Sequence, residues 1–294
     1  MSSSMTDELR WNLLALKKAE KFILDAVRIF RQHDIEPILI KGWAAARNYP
    51  PDAPRFFGDT DLAVSAADFE KARSLIEVPD SAVRGVDLHR ELRTLDTLRW
   101  SELFSRSELV TVEGGDIRVL SPEDHLRVLC VHWLINGGEE RSRLYDVVYA
   151  VANRPPTFDW AKCVDVVDPN RRSWIVSTIG LAHRYLGLDL NGIPFADEAR
   201  DLPAWLTRCV ERGWSGEVRL RGLDESITDR RLFLRQIRRR LPPNPIQATV
   251  FCNGKFDDAP RIGYQMRDIF GRLGPSVRRL SRAIADQYRW SRTK

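Results

Sequence analysis

The sequence is poor in cysteine and contains no long apolar run. Its four cysteines stand more than thirty residues apart and never pair as C-x-x-C, which argues against a disulfide framework or a zinc site. No window approaches the roughly 18 uninterrupted apolar residues that a membrane span needs. The first residues also lack the basic segment and apolar stretch of a secretory signal. We therefore expect a cytoplasmic protein with reduced cysteines and no membrane contact.

Internal repeats and low-complexity tracts are absent too. What is present is a composition of 43% hydrophobic and 30% charged residues, with nine Trp and twelve Phe. A chain of this kind can bury a sizeable core, which excludes disordered and fibrous proteins. At 294 residues it is long enough for one large or two ordinary domains.

The net charge of +5 is unevenly distributed. Residues 1–147 contain 20 Lys and Arg against 25 Asp and Glu, whereas residues 148–294 contain 26 against 16. A basic half can attract a polyanion, or it can complement an acidic neighbouring domain. Because 38 of the 46 positive residues are Arg, the codon bias of a GC-rich genome also explains part of the excess. Nucleic acid is left open as a partner but is not favoured.

Apolar periodicity divides the chain into three parts. Residues 1–34 predict a helix that packs on the core, because apolar residues recur at three- and four-residue intervals. Residues 35–120 alternate β-branched runs with helical segments, and residues 121–294 follow a 3.6-residue period after an N-cap signal at Ser121. The sequence thus predicts an α+β fold, a mixed-sheet domain followed by a mostly α-helical C-terminal region. Strands are expected at 37–42, 55–64, 82–92 and 114–120, a helix from Ser65, and two Arg-rich helices at 228–241 and 275–290.

Two aspartates stand in the middle of the second predicted strand. Asp59 and Asp61 are two residues apart, so on a strand their side chains share one face. Neighbouring carboxylates repel each other, and a hard divalent cation between them makes the arrangement favourable. An exposed pair without a role has the same sequence signature.

A strand-glycine-helix pattern, ILIKGWAAA, precedes this pair. Gly42 would let a phosphate approach the backbone, and the following helix would offer free N–H groups at its N-terminus. Lys41 stands beside this turn, where it either meets that phosphate or is a solvated lysine at a strand end.

A third acidic position lies in VDLHREL, where Asp87 and His89 share a strand face. Strands disfavour Asp, and a buried carboxylate needs a partner, of which a metal ion is the simplest. A lone His is more often structural than catalytic. His132 and Asp146 are interpreted as structural as well, with Asp146 capping a helix or pairing with a neighbouring Arg.

Together these motifs resemble the DNA polymerase beta-like nucleotidyltransferase superfamily. LIKGWAAARNYP, Arg55 leading into GDTDLAV, VDLHREL and LSPEDHLRVLCVHW are similar, in this order, to an uncharacterised nucleotidyltransferase family of that superfamily. The resemblance covers about residues 35–150. Lys41-Gly42-Trp43 stands where the superfamily usually has Gly-Gly or Gly-Ser.

The resemblance implies a site and an activity. Asp59, Asp61 and Asp87 would hold two Mg²⁺ ions as catalytic and metal ligands, and the nucleotide would contact Lys41, Gly42 and Arg55, with His89 as an accessory residue. The implied reaction transfers a nucleoside monophosphate from an NTP to a hydroxyl-bearing acceptor, which is a small molecule, a peptide or a natural-product intermediate. The C-terminal helices would supply the acceptor side. A toxin-like transferase that modifies tRNA or protein, and a non-catalytic binding protein of the same fold, remain alternatives.

Overall fold

The computed structural model describes residues 7–92, 94–215 and 242–271, in which a five-stranded mixed sheet is followed by a helical region. The strands are β1 (Ile38–Leu39), β2 (Thr60–Val64), β3 (Val86–Arg90), β4 (Glu108–Val112) and β5 (Gly115–Val119). They lie in the order β3-β2-β1-β5-β4. The β1–β5 and β2–β3 pairs are parallel, and the β1–β2 and β4–β5 pairs are antiparallel. The predicted α+β class is confirmed.

Helices surround the sheet and form the rest of the described chain. They are α1 (Asp7–Gln32), α2 (Trp43–Ala46), α3 (Phe69–Glu77), α4 (Trp100–Arg106), α5 (Pro122–Ile135), α6 (Arg141–Ala152), α7 (Trp160–Val164), α8 (Pro169–Leu186), α9 (Ala196–Arg200), α10 (Ala204–Trp214) and α11 (Pro245–Phe251), and residues 262–271 are helical as well. Helix α5 begins as predicted, because Ser121 Oγ accepts a hydrogen bond from Asp124 N at 3.3 Å and Pro122 occupies the first turn. None of the described helices is long and apolar enough to cross a membrane.

The two faces of the sheet are covered by different helices. Val27 and Phe30 of α1 are buried in one cluster with Leu62 and Val64 of β2. Ala63, on the opposite face of β2, belongs to a second cluster that includes residues of α4 and α5. This alternation along β2 is the period of two that a strand imposes. It leaves Asp61, which shares the face of Ala63, directed toward α5.

Helix α5 joins the sheet to a larger, helical core. Its Val128 packs in the cluster beneath the sheet, whereas Leu126 and Cys130 pack among the helices around Trp174. The helix is buried on nearly all sides, as its place between two cores requires. It also fixes the position of the polar residues near its C-terminal end relative to β2.

Several predicted boundaries are wrong. Strand β2 begins at Thr60 rather than at residue 55, because its pairing with β3 starts at Thr60 and the two-residue strand β1 pairs only with Leu62 and Ala63. Helix α3 begins at Phe69, and Ser65 Oγ accepts from Asp68 N at 3.0 Å in the preceding turn. Strand β4 and helix α4 were not expected. The Arg-rich segments predicted as helices at 228–241 and 275–290 lie outside the described residues.

Candidate functional site

Parallel pairing of β2 with β3 places two aspartates directly opposite each other. Asp61 is in register with Asp87, and Ala63 is in register with His89. Neighbouring strands are about 4.8 Å apart, so side chains in register on one face are within reach of each other. The register therefore brings together Asp61, Asp87 and His89, although 26 residues separate the first two in the chain.

These three residues form a cluster of ligand atoms. One ligand atom from each of Asp61, Asp87 and His89 lies within 4.8 Å of the other two. His89 Nε2 is 3.1 Å from Asp61 Oδ1 and 3.4 Å from Asp87 Oδ2. The Asp61 side chain is 7% exposed and that of Asp87 is 63% exposed. The cluster thus extends from the buried strand to the solvent, a geometry that can hold a metal ion.

Lys41 supplies a second contact to the buried carboxylate. Its Nζ atom is 2.8 Å from Asp61 Oδ1, the same oxygen that His89 contacts. Burial alone raises the pKa of Asp61, but hydrogen bonds and charge from His89 and Lys41 outweigh it and lower the pKa to about 2. Asp61 is therefore ionised at neutral pH, as a metal ligand must be.

Asp59 lines the same cavity but stands before the strand. The cavity has a volume of about 310 Å³ and is lined by Lys41, Gly42, Arg55, Phe57, Gly58, Asp59, Asp61, Asp87, Leu129, His132, Trp133, Asn136, Glu140, Arg143 and Asp146. The structure brings Asp59 to this cavity with Asp61, yet its carboxylate is not part of the three-residue cluster. Asp59 is exposed, so its side chain is free to reorient toward a bound cation.

The conformation and close packing of the backbone around residue 42 require a glycine at this position. Its φ angle is +62°, and a β-carbon at this position would lie 2.9 Å from the Asp59 carbonyl oxygen. In the structure, the group that lies close to the Gly42 backbone is the carbonyl of Asp59, where the sequence predicts a phosphate. Helix α2, which follows Gly42, has only four residues, and the N–H groups of Ala44 and Ala45 donate to the carbonyls of Lys41 and Gly42. A helix of a single turn has only a small dipole, so α2 contributes little to the anion binding that the sequence predicts at its N-terminus.

Arg55 is held in a buried ion pair. Its Nε and Nη2 atoms donate to the two carboxylate oxygens of Asp146 at 2.5 and 2.9 Å, and Nη1 donates to the Gly42 carbonyl at 3.3 Å. Tyr49 also donates to Asp146, at 2.7 Å. The prediction that Asp146 pairs with an Arg is confirmed. Arg55 connects the Gly42 turn to α6 through these contacts.

The opposite wall of the cavity comes from α5 and α6. His132 Nε2 faces two donors, Asn136 Nδ2 at 3.2 Å and Lys41 Nζ at 3.5 Å, so this nitrogen is the acceptor of a neutral ring. Burial, reinforced by the charge of Lys41, lowers the pKa of His132 to about 4. The structural interpretation of His132 overlooked this place in the cavity. Its spacing of four from Asn136, on one helix face, was the available signal.

Comparison with known proteins gives one match. Residues 4–85 match the model of a family described as uncharacterised nucleotidyltransferase. The matched segment contains Lys41, Gly42, Arg55 and the Asp59–Asp61 pair, and it ends before β3. Neither the curated proteins nor the solved structures contain a match. Over residues 4–85 the chain is therefore similar to this nucleotidyltransferase family, as its motifs predict, and the match supports nucleotidyl transfer as its general role.

Proposed function

We propose that the protein is a metal-dependent nucleotidyltransferase that moves a nucleoside monophosphate from an NTP to a hydroxyl-bearing acceptor and releases pyrophosphate. The observation that carries the proposal is the cluster of Asp61, Asp87 and His89 in a cavity that also contains Lys41. Convergent polar groups in a cavity of this size are typical of a small-molecule site. The family match over residues 4–85 supports the same reaction class.

The charge of the cavity fits a divalent cation. Five carboxylates line it against three cationic side chains, those of Lys41, Arg55 and Arg143. Such a lining repels a free triphosphate, and bound Mg²⁺ reverses this effect. Asp59, Asp61 and Asp87 provide the oxygen ligands that Mg²⁺ prefers, and they are the residues that would hold it. When bound, the metal ions neutralise phosphate charge and lower the pKa of the acceptor hydroxyl.

Lys41 has two roles in this proposal. In the structure its ammonium group neutralises Asp61. Once Asp61 coordinates a cation, Lys41 donates to a phosphate oxygen instead, as a compact point charge suited to that contact. His132 supports the exchange because its acceptor nitrogen, 3.5 Å from Nζ, remains as a partner for the ammonium group.

Arg55 and His89 position the residues that touch substrate and metal. Arg55 holds the Gly42 carbonyl and Asp146 simultaneously, so it fixes the turn that carries Lys41 and contributes positive potential to the phosphate site. His89 contacts both Asp61 and Asp87, which orients the two carboxylates toward each other. A nitrogen ligand is less suited to Mg²⁺ than oxygen is, so we assign His89 the orienting role.

The acceptor is assigned to the wall formed by α5 and α6. Trp133, Asn136 and the ion pair of Glu140 with Arg143 at 3.0 Å line this side. They combine an aromatic surface with hydrogen-bonding groups, which suits a polar organic acceptor. In this proposal residues 35–120 bind the nucleotide and the helices from residue 121 onward bind the acceptor.

A binding protein without catalysis is the second candidate. Asp61 is 5% exposed and already ion-paired with Lys41. If this pair persists in the presence of metal, the cavity retains a site for a nucleotide but lacks the ligand set for transfer. The experiment described next distinguishes the transferase from the binding protein.

The test uses the full-length protein with each of the four NTPs and Mg²⁺. Candidate acceptors are analysed by intact mass, and pyrophosphate release is followed in parallel. Asp87→Asn is expected to reduce transfer at least 100-fold while nucleotide binding persists, because the remaining carboxylates still hold one cation. Asp52→Asn, at an exposed position outside the cavity lining, is the matched control. Equal transfer by Asp87→Asn and wild type contradicts the proposal, and NTP binding without pyrophosphate release supports the binding protein.

A further inference from the structure

A second cavity, of about 210 Å³, lies against the same helices as the first. It is lined by Arg47, Asn48, Glu108, Pro122, His125, Ala150, Asn153, Arg154 and Pro155. We propose that this second cavity binds a phosphate group, either as the free anion or as part of a small phosphorylated metabolite. The proposal is independent of the reaction assigned to the first cavity.

Arg47 carries an unsatisfied donor into this cavity. Its Nε atom is buried and has no hydrogen-bond partner, and Glu108, which lines the same cavity, is the carboxylate whose charge acts on it. Arg47 is half-buried, and its guanidinium keeps its charge. Burial of part of a charged group is unfavourable, and an anion bound in the second cavity would offset this cost by neutralising the charge.

His125 provides a second unsatisfied group. It is 3% exposed, and its Nε2 atom has no hydrogen-bond partner. Buried polar atoms in native proteins nearly always have a partner. The two residues that carry such atoms, Arg47 at the end of α2 and His125 in the first turn of α5, line one cavity. This coincidence indicates a ligand rather than a local packing defect.

The charge balance of the lining favours an anion. Two guanidinium groups, Arg47 and Arg154, face one carboxylate, Glu108, which is exposed. Arg154 is held in place because Nη1 donates to the Val151 carbonyl at 2.7 Å and the guanidinium stacks 5.5 Å from the Trp160 ring centre. A preorganised Arg is well suited to bind phosphate oxygens.

The size of the cavity restricts the ligand. Sites for drug-sized molecules have volumes of about 300–1,000 Å³, and the second cavity is smaller than this. It accommodates a phosphate group with part of a small substituent, but not a whole nucleotide. We therefore expect inorganic phosphate to bind, and a comparison with small phosphomonoesters to show which source is preferred.

The experiment is calorimetric titration of the full-length protein with inorganic phosphate, in EDTA and at constant ionic strength. Arg47→Gln is expected to weaken binding at least tenfold. Glu108→Gln is expected to tighten binding severalfold, because it removes the one negative charge of the lining without disturbing a buried group. Arg200→Gln, at an exposed Arg on α9 outside both cavities, is the matched control and should leave the affinity unchanged.

Asn153→Asp is a second test of the same cavity, and it decides the outcome if Arg47→Gln does not fold. Asn153 is exposed, so the added negative charge should weaken phosphate binding in a folded protein. The proposal is overturned if phosphate does not bind, if Arg47→Gln, Glu108→Gln and Asn153→Asp all bind as wild type does, or if acetate binds as tightly as phosphate. Loss of binding in Lys41→Met with retention in Arg47→Gln would place the anion in the first cavity and would also overturn it.

Discussion

Lys41 Nζ lies 2.8 Å from Asp61 Oδ1, so a buried carboxylate of the proposed metal site already holds a cation that belongs to the protein. A metal ion must therefore compete with an ammonium group for this oxygen. The competition predicts how substitutions in the first cavity change metal affinity.

Replacing Lys41 by Met should tighten Mn²⁺ binding by about tenfold, or about 1.4 kcal/mol, because it removes a competing positive charge. Transfer should nevertheless fall, since the phosphate loses its lysine contact. Metal affinity is measured by calorimetry, with Lys18→Met on the exposed surface of α1 as the control. An unchanged Mn²⁺ affinity in Lys41→Met would show that the ammonium group does not compete with the metal.

Gly42→Ala should lower the free energy of unfolding by about 1–3 kcal/mol and also weaken metal binding. The residue has a φ of +62°, and its new β-carbon would press on the Asp59 carbonyl at 2.9 Å. Two control substitutions separate these effects in urea unfolding and metal titration. Gly187→Ala, with φ +71° in open space, should lose stability alone, and Gly263→Ala, with nothing within 4 Å and outside the first cavity, should leave metal affinity unchanged. Normal metal affinity in Gly42→Ala would refute the coupling of this turn to Asp59.

Asp146→Ala should destabilise the protein by about 3–5 kcal/mol, because it leaves the Arg55 charge buried without a partner. The double substitution Arg55→Met with Asp146→Leu removes both charges and should be less destabilising than Asp146→Ala. Chemical unfolding of wild type, Arg55→Met, Asp146→Leu and the double variant measures this coupling. If the losses of stability in the two single variants add up to the loss in the double variant, the ion pair contributes no coupling free energy.

Stability should decrease as the pH falls below about 6.5. Burial, followed by the charges of Arg47 and Arg55, lowers the pKa of His125 to about 3. At acidic pH His125 is therefore protonated in the unfolded chain but neutral in the folded protein. Between pH 7.5 and pH 5 this difference lowers the free energy of unfolding by about 2 kcal/mol. The lowered pKa of His132, about 4, acts in the same direction. Unfolding in phosphate-free buffer should show a smaller loss in His125→Gln, and an identical pH slope in both proteins would contradict this assignment.

The sequence predicts the fold class and the convergence of its main motifs, but not the contacts between them. Strand periodicity is a local property, so Asp87 and His89 could be placed on one face of β3. The pairing of Arg55 with Asp146 depends on how α6 packs against the sheet. The sequence predicts only that Asp146 caps a helix or pairs with an Arg. The position of His132 in the cavity was not readable for the same reason. Its neighbour Lys41 is 91 residues away in the chain.

The boundaries that were missed have a physical explanation. Residues 55–59 have the composition of a strand, yet β1 is too short to pair with them. Gly42 was predicted to let a phosphate approach the backbone, but the sequence cannot distinguish a ligand from another part of the backbone. The structure assigns that approach to Asp59.

The register between Asp61 and Asp87 also determines where the chain tolerates a change of length. Their alignment is set by hydrogen bonds between β2 and β3, whereas the connection between them runs through α3 and an exposed loop at 78–80. Residues inserted in that loop lengthen the path between the two carboxylates without moving either one. The loop is therefore a place for an epitope tag or a fluorescent label, while a single residue added at the start of β3 would place Val86 opposite Asp61 and turn Asp87 to the other face of the sheet.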